Sequence, residues 1–146
     1  MAQDAIALLE SDHHRVEELV REFKSMRGDR EAKLHLAQII CAELTLHSMV
    51  EEEIFYPAFA QATGDEQLVE HAIKEHQEVK ELIARVLSAE NVEGAIESVW
   101  RHVEHHVEEE RRGMFAKARA SGMELATLGG RIQTRRAEVA AAVHES

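Results

Sequence analysis

An all-α, up-down-up-down four-helix bundle with an additional C-terminal helical segment is the fold this sequence predicts, and three observations predict it. Apolar residues make up 45% of the chain but aromatics only 4%, with a single proline among 146 residues, a composition that suits long aliphatic helices better than strands. Apolar side chains return every three or four positions over long stretches, the period of a helix with one buried face. Turn residues divide those stretches into rods with short connections, and short connections make consecutive helices antiparallel.

The first helix is expected from about Ala2 to Met26, with Ile6, Leu9, Val16, Leu19, Val20 and Phe23 on its apolar face. Arg27-Gly28-Asp29 stops it and caps the next. The second runs from about Arg30 to Phe59 or Gln61, where Pro57 kinks it or begins to end it by removing a backbone donor. Ala62-Thr63-Gly64-Asp65 is a turn with a cap for a third helix, from Glu66 to Ser88. Asn91 caps a fourth, from Val92 to Ala120, which Ser121-Gly122 closes. Residues 1–121 form the bundle domain in this reading. Residues 122–146 are a C-terminal extension, packed on the outside or trailing, whose helical pattern from Met123 to His144 is broken at Gly129-Gly130.

A net charge of −11 lacks the basic footprint that nucleic-acid binding needs. No apolar run reaches membrane-spanning length, and Met-Ala-Gln-Asp-Ala-Ile-Ala-Leu-Leu-Glu is not a signal sequence. These features predict a cytoplasmic chain, as a monomer or weak homodimer. The single Cys41 cannot form an internal disulfide and reads as a small buried apolar residue.

The chemistry lies in the run His47-Ser48-Met49-Val50-Glu51-Glu52-Glu53-Ile54-Phe55-Tyr56-Pro57. Four residues apart on a helix, His47 and Glu51 stand about 40° from each other and point the same way. Ile40, Leu44, Ile54 and Phe55 share that stripe, and a carboxylate held there must be neutralised, paired or bound to a metal. Spacing alone is weak evidence, because His13, His14, His47, His71, His105 and His106 all have a glutamate four residues on. Recurrence separates the meaningful pairs from the accidental ones. His47-x-x-x-Glu51 with Phe55-Tyr56 downstream returns 59 residues later as His106-x-x-x-Glu110 with Met114-Phe115. Asp12-His13-x-x-Val16-x-Glu18-Leu19 returns 63 residues later as Glu75-His76-x-x-Val79-x-Glu81-Leu82.

A bundle with this two-fold repeat brings His13, His47, Glu51, His76, His106 and Glu110 toward a common centre. Four imidazoles and two carboxylates are too many ligands for one ion and suit two. Nitrogen and oxygen donors fit iron, manganese, zinc or nickel, and a carboxylate-bridged pair in a bundle points to iron or manganese. His102, Glu43 and Glu17 stand one helical turn from expected ligands and could orient them, although a solvated position is the plainer reading of each. Tyr56 falls about 180° from His47 on an ideal helix, which predicts packing near Pro57 rather than a place at the site. His35, His71, His105 and His144 read as surface, and His14 as the neighbour that the repeat passes over.

The order H, H-x-x-x-E, H, H-x-x-x-E, with the phrases Asp12-His13-His14-Arg15-Val16 and His47 to Pro57, resembles the hemerythrin-like family of HHE cation-binding domains over about Ala2 to Ala120. The resemblance implies a four-helix bundle around a non-haem pair of iron ions, oxo- or hydroxo-bridged, with the six residues above as metal ligands and manganese or zinc as alternatives. Oxygen-carrying members have a further histidine one turn from the third-helix ligand, where this chain has Ala72 and Lys80. Fewer protein ligands leave exchangeable positions on both metals, which favours reactivity over oxygen storage. In this it is similar to the branch represented in mycobacteria and linked to breakdown of hydrogen peroxide. Hydrogen peroxide, dioxygen and nitric oxide are the small-molecule partners so implied. The alternatives are a non-enzymatic sensor or binder of oxygen, nitric oxide or iron, and an iron donor for cluster repair.

Overall fold

A computed structural model describes residues 3–145, with side chains to residue 142, and every rod in it is helical. Helix α1 spans Ala5–Ser25, α2 Arg30–Val50, α3 Tyr56–Thr63, α4 Glu66–Val86, α5 Val92–Glu109, α6 Ala116–Ala120 and α7 Leu125–Glu145. A π-helical turn, Glu51–Phe55, joins α2 to α3, and a second, Glu110–Phe115, joins α5 to α6. The chain therefore forms four rods of a bundle and a fifth, α7, that packs along α1, α2 and the first π-turn.

The helix starts follow the capping residues. Asp4, Asp29, Asp65 and Asn91 each accept a hydrogen bond, at 2.8 to 3.1 Å, from the backbone N–H three residues on, satisfying a donor that a helix start otherwise leaves free. Because Asp4 occupies the cap, α1 begins at Ala5, and Ala2 lies outside the described residues. Gly64 closes α3 at φ 74°, a left-handed conformation that glycine adopts without a Cβ penalty.

Two expectations are corrected. Pro57 does not end the second rod, which continues to Thr63. The proline falls in the first turn of the α-segment that follows a π-turn, where its missing N–H costs least. Gly129-Gly130 does not break the fifth rod either, since α7 is continuous. Gly129 serves close approach instead, because a Cβ there would come within 2.2 Å of the Gln3 carbonyl oxygen. Leu128 and Ile132 of α7 are buried in the same core as Ile6, Leu9 and Phe59, so this rod is a packed part of the fold.

The core is in two parts. One holds Leu9, Val50, Phe55, Phe59, Met114 and Phe115, and the other Val16, Phe23, Ile40, Leu44, Val79 and Val103. Between them, at the waist of the bundle, lie the six buried polar or ionisable residues His13, His47, Glu51, His76, His106 and Glu110. Cys41 is buried in the second part, where burial pushes its thiol up to about 11. Among the described residues, no helix is long and apolar enough to cross a membrane.

Candidate metal centre

All six residues singled out by the repeat meet at this waist. α1 supplies His13, α2 His47, α4 His76 and α5 His106, while Glu51 and Glu110 begin the two π-turns. At each junction the backbone N–H of the glutamate reaches the carbonyls of both the residue three and the residue four before it. Five residues later, the Tyr56 N–H bonds Glu51 O. A π-turn takes one residue more than an α-turn and is often found at functional sites. It therefore turns whatever follows back by about 100°, and this carries Tyr56 from the far side of the helix into the centre. The expectation of a remote Tyr56 fails for that reason.

The four imidazoles present Nε2 inward. His13 Nε2 and His47 Nε2 are 3.2 Å apart, as are His76 Nε2 and His106 Nε2. Each Nδ1 is turned outward onto a carboxylate: His13 to Glu10 at 3.0 Å, His47 to Asp12 at 2.7 Å, His76 to Glu52 at 2.9 Å and His106 to Glu75 at 2.7 Å. A carboxylate only accepts, so each Nδ1 carries the hydrogen and each Nε2 is left with a lone pair aimed at the centre. Two lone pairs facing across 3.2 Å repel unless a cation or a proton lies between them. Donors about 3 Å apart are what one ion gathers when its bonds to nitrogen are about 2.0–2.1 Å.

The carboxylates complete the pattern. Glu51 Oε1 lies 2.9 Å from His47 Nε2 and 3.2 Å from His76 Nε2, so it stands between the two imidazole pairs. Glu110 faces one pair with each oxygen, Oε1 lying 3.6 Å from His13 Nε2 and Oε2 3.3 Å from His106 Nε2. By hydrogen-bond geometry both oxygens of Glu51 and Oε1 of Glu110 are buried and unsatisfied, Glu51 Oε1 having only its close ion-pair approach to the two imidazoles, although a buried carboxylate oxygen normally accepts a hydrogen bond. The donors divide into two groups that share Glu110: His13, His47 and Glu110, and Glu51, His76, His106 and Glu110. The donor set fits cations at both places.

Charge gives the same answer. The centre and its supports hold six carboxylates, and two guanidiniums offset them, Arg111 on Glu10 and Arg136 on Asp12. The metal-free protein draws in protons instead. At His47 burial lowers the pKa, but the Glu51 charge and the Asp12 hydrogen bond outweigh it and hold it at about 10. At His106 burial is overcome by hydrogen bonds with Glu110 and Glu75, which lift it to about 11. Burial and the adjacent His47 push His13 down to about 4, and burial with the Glu51 charge raises Glu110 to about 7. Burial opposes ionisation of Glu51, yet the His47 charge holds its pKa well below the usual carboxylate value.

Tyr56 also enters the centre. Its hydroxyl donates to Glu110 Oε2 at 2.7 Å and lies 3.2 Å from His76 Nε2. Burial and the two glutamate charges raise its pKa well above the ordinary value, so it keeps its proton. The other proposed supports do not reach the site. His102 is exposed and bonds the Ser98 carbonyl, Glu17 pairs with Arg21, and Glu43 pairs with Arg15. The true supports were visible only in part. Asp12 and Glu75 precede His13 and His76 in the repeat, but each braces the histidine of the following rod, a pairing that needs the bundle to be seen. His14, His35, His71 and His105 lie outside the centre, and the side chain of His144 lies outside the described residues.

Fold and site together define a cation-binding helical bundle with a histidine and glutamate centre. The family model for the hemerythrin HHE cation-binding domain matches residues 4–118, and the chain belongs to that family. Its structure is similar to the crystal structure of a hemerythrin HHE cation-binding domain-containing protein from Mycobacterium kansasii. The TM-score is 0.79 at 25% identity, over 93% of this chain and 86% of that one. No curated protein sequence matches the chain.

Proposed function

We propose that this chain holds two iron ions at its centre and decomposes hydrogen peroxide there. The observation that carries the reading is the convergence of four imidazole nitrogens and two carboxylates in two donor groups that share Glu110, with three buried carboxylate oxygens that accept no well-formed hydrogen bond. His13 and His47 would hold one ion, His76 and His106 the other, with Glu110 and Glu51 between them. Nitrogen and carboxylate donors suit iron, with manganese or zinc as alternatives. A redox-active pair supplies the means to oxidise one peroxide by two electrons and reduce another by two, so that two peroxides yield two waters and one dioxygen.

The chain supplies access and protons. A groove of about 390 Å³ runs past Leu68, Ala72 and Met114 to His106 and Glu110, giving a small polar molecule a way to the inner donors. Tyr56 holds a hydroxyl proton on Glu110 Oε2, beside His76 and His106, where a reduced oxygen needs one. The carboxylates on Nδ1 fix each ring so that its lone pair stays directed inward.

The test is elemental analysis of protein purified without added metal, followed by gas evolution from peroxide. About two irons per chain and dioxygen release without added reductant are expected. A fully iron-loaded sample that releases no gas overturns the catalytic reading. One observation favours a second reading, reversible binding of dioxygen or nitric oxide. A cavity of about 30 Å³ lined by Val16, Leu44, Val79, Val103 and Val107 touches the four imidazoles, room for one very small molecule. A stable oxygenated spectrum of the reduced protein, reversed by removing oxygen, would decide for it.

A further inference from the structure

Two further H-x-x-x-E pairs, set aside as accidents of composition, meet on the outside of the bundle. His71 and Glu75 lie one turn apart on α4, and His105 and Glu109 one turn apart on α5. The helices face each other, so the four side chains interleave. His71 Nε2 is 3.0 Å from Glu109 Oε2 and 3.5 Å from Glu75 Oε2, while His105 Nε2 is 3.1 Å from Glu109 Oε1 and 4.0 Å from Glu75 Oε2. His71, Glu75 and Glu109 can offer one ligand atom each within 4.8 Å of one another. We propose that His71, Glu75 and Glu109, with His105 beside them on Glu109, form a second, outward-facing site for a divalent transition-metal ion, which receives metal from solvent on its way to the centre.

Chemistry and position both support this. Imidazole and carboxylate donors together are a borderline donor set that suits Mn²⁺, Fe²⁺, Co²⁺ or Zn²⁺. His71, Glu75 and Glu109 also line the groove that reaches His106 and Glu110, and Glu110 turns Oε2 toward His106 and its buried Oε1 toward His13. A cation released from the outer donors therefore has His106 and Glu110 as its neighbours along the same groove. Glu75 joins the two places directly, since its Oε1 accepts from His106 Nδ1 at 2.7 Å while its Oε2 faces His71 and His105. The outer donors do not depend on the proposed centre, whereas their role as an entry port rests on it.

The test uses the full chain as purified and Co²⁺ as the probe, comparing wild type with the double variant His71→Gln/His105→Gln. Both histidines are exposed, so the variant should fold, and circular dichroism would verify that. Wild type is expected to take up one Co²⁺ beyond the metal it already carries, with paramagnetic broadening of the His71 and His105 ring protons. The double variant should lose that ion and keep its purified metal content. Equal uptake by the two proteins, or uptake that leaves both rings sharp, overturns the outer site. Stopped-flow loading of metal-free protein with Fe²⁺ then tests the port. The variant should fill more slowly to the same final content, and equal rates overturn the entry role even where the outer ion is present. Failure of the centre itself would appear separately, as no iron in wild type and no effect of Glu110→Gln on metal content.

Discussion

The two halves of the centre are built from one repeat but braced in different ways. In the first, Glu10 and Asp12 hold His13 and His47, and each carboxylate is itself held by a guanidinium, Arg111 on Glu10 at 2.8 and 2.9 Å and Arg136 on Asp12. In the second, Glu52 and Glu75 hold His76 and His106, and among the described residues neither is paired with an arginine or lysine. The second half also faces open space, with one groove at His106 and another, about 380 Å³, at His76. It holds Tyr56 as well. The difference separates two tasks that one symmetric centre would combine, since rigid orientation suits a ligand that must stay and access suits a position where molecules exchange.

The strongest way to break the comparison is to remove what the halves share. Glu110→Ala should lower metal content in both halves, to near zero by elemental analysis, whereas His13→Ala should empty only the first and leave about one ion. Equal content in the two variants would mean that the halves do not fill as separate donor groups. Tyr56→Phe acts from the second half, on the Glu110 oxygen that faces His106. Its ring still fits, so two ions should remain, while peroxide turnover falls by about a hundredfold, the scale of a lost proton donor. In the metal-free protein the same change removes one of the two donors facing Glu110 Oε2, His106 remaining, and should cost about 0.5–1.5 kcal/mol in denaturant unfolding.

The six residues that converge at the centre were legible in the sequence because H-x-x-x-E on a helix fixes direction locally and the repeat shows which instances matter. The four rods, and their starts at Asp29, Asp65 and Asn91, were legible for the same reason, since caps act within three residues. What the sequence hid was long-range or cumulative. The outward carboxylates reach across rods, as Asp12 does to His47 over 35 residues. The displacement of Tyr56 is the sum of small changes through a π-turn that no single residue announces. Gly129-Gly130 read as a break because its purpose, letting α7 approach the chain near Gln3, is a contact across the molecule.

Protons offer a third contrast, between the empty and the filled centre. His47 and His106 rise from 6.5 in the ordinary imidazole to about 10 and 11 in the metal-free fold. A raised folded pKa contributes stability that is complete below the unfolded value and is lost as pH rises through the folded one. The metal-free protein should therefore lose thermal stability from about pH 6.5 to about pH 11. Protein carrying metal should show the opposite slope on its acid side, because protons and cations compete for the same nitrogens. A thermal midpoint that rises with pH in the metal-free form would remove protonated His47 and His106 from this account.

The smallest effect is expected from the braces, and it is the one most specific to the asymmetry. Arg136 reaches Asp12 from α7, so this fifth rod is linked to the centre through Asp12 and His47. Arg136→Ala leaves every ligand in place but frees Asp12 to move, and removal of such an outer partner typically weakens metal binding by about 10–100-fold. The loss should fall on one of the two ions, read as biphasic release to a chelator where wild type releases more evenly. Glu52→Gln makes the complementary test, since it weakens the hold on His76 from the solvent side, with no guanidinium behind it to lose. If Arg136→Ala and Glu52→Gln speed release of the same ion, the two halves are mechanically one unit. If they speed release of different ions, the arginines define the half that retains its metal and the grooves define the half that exchanges.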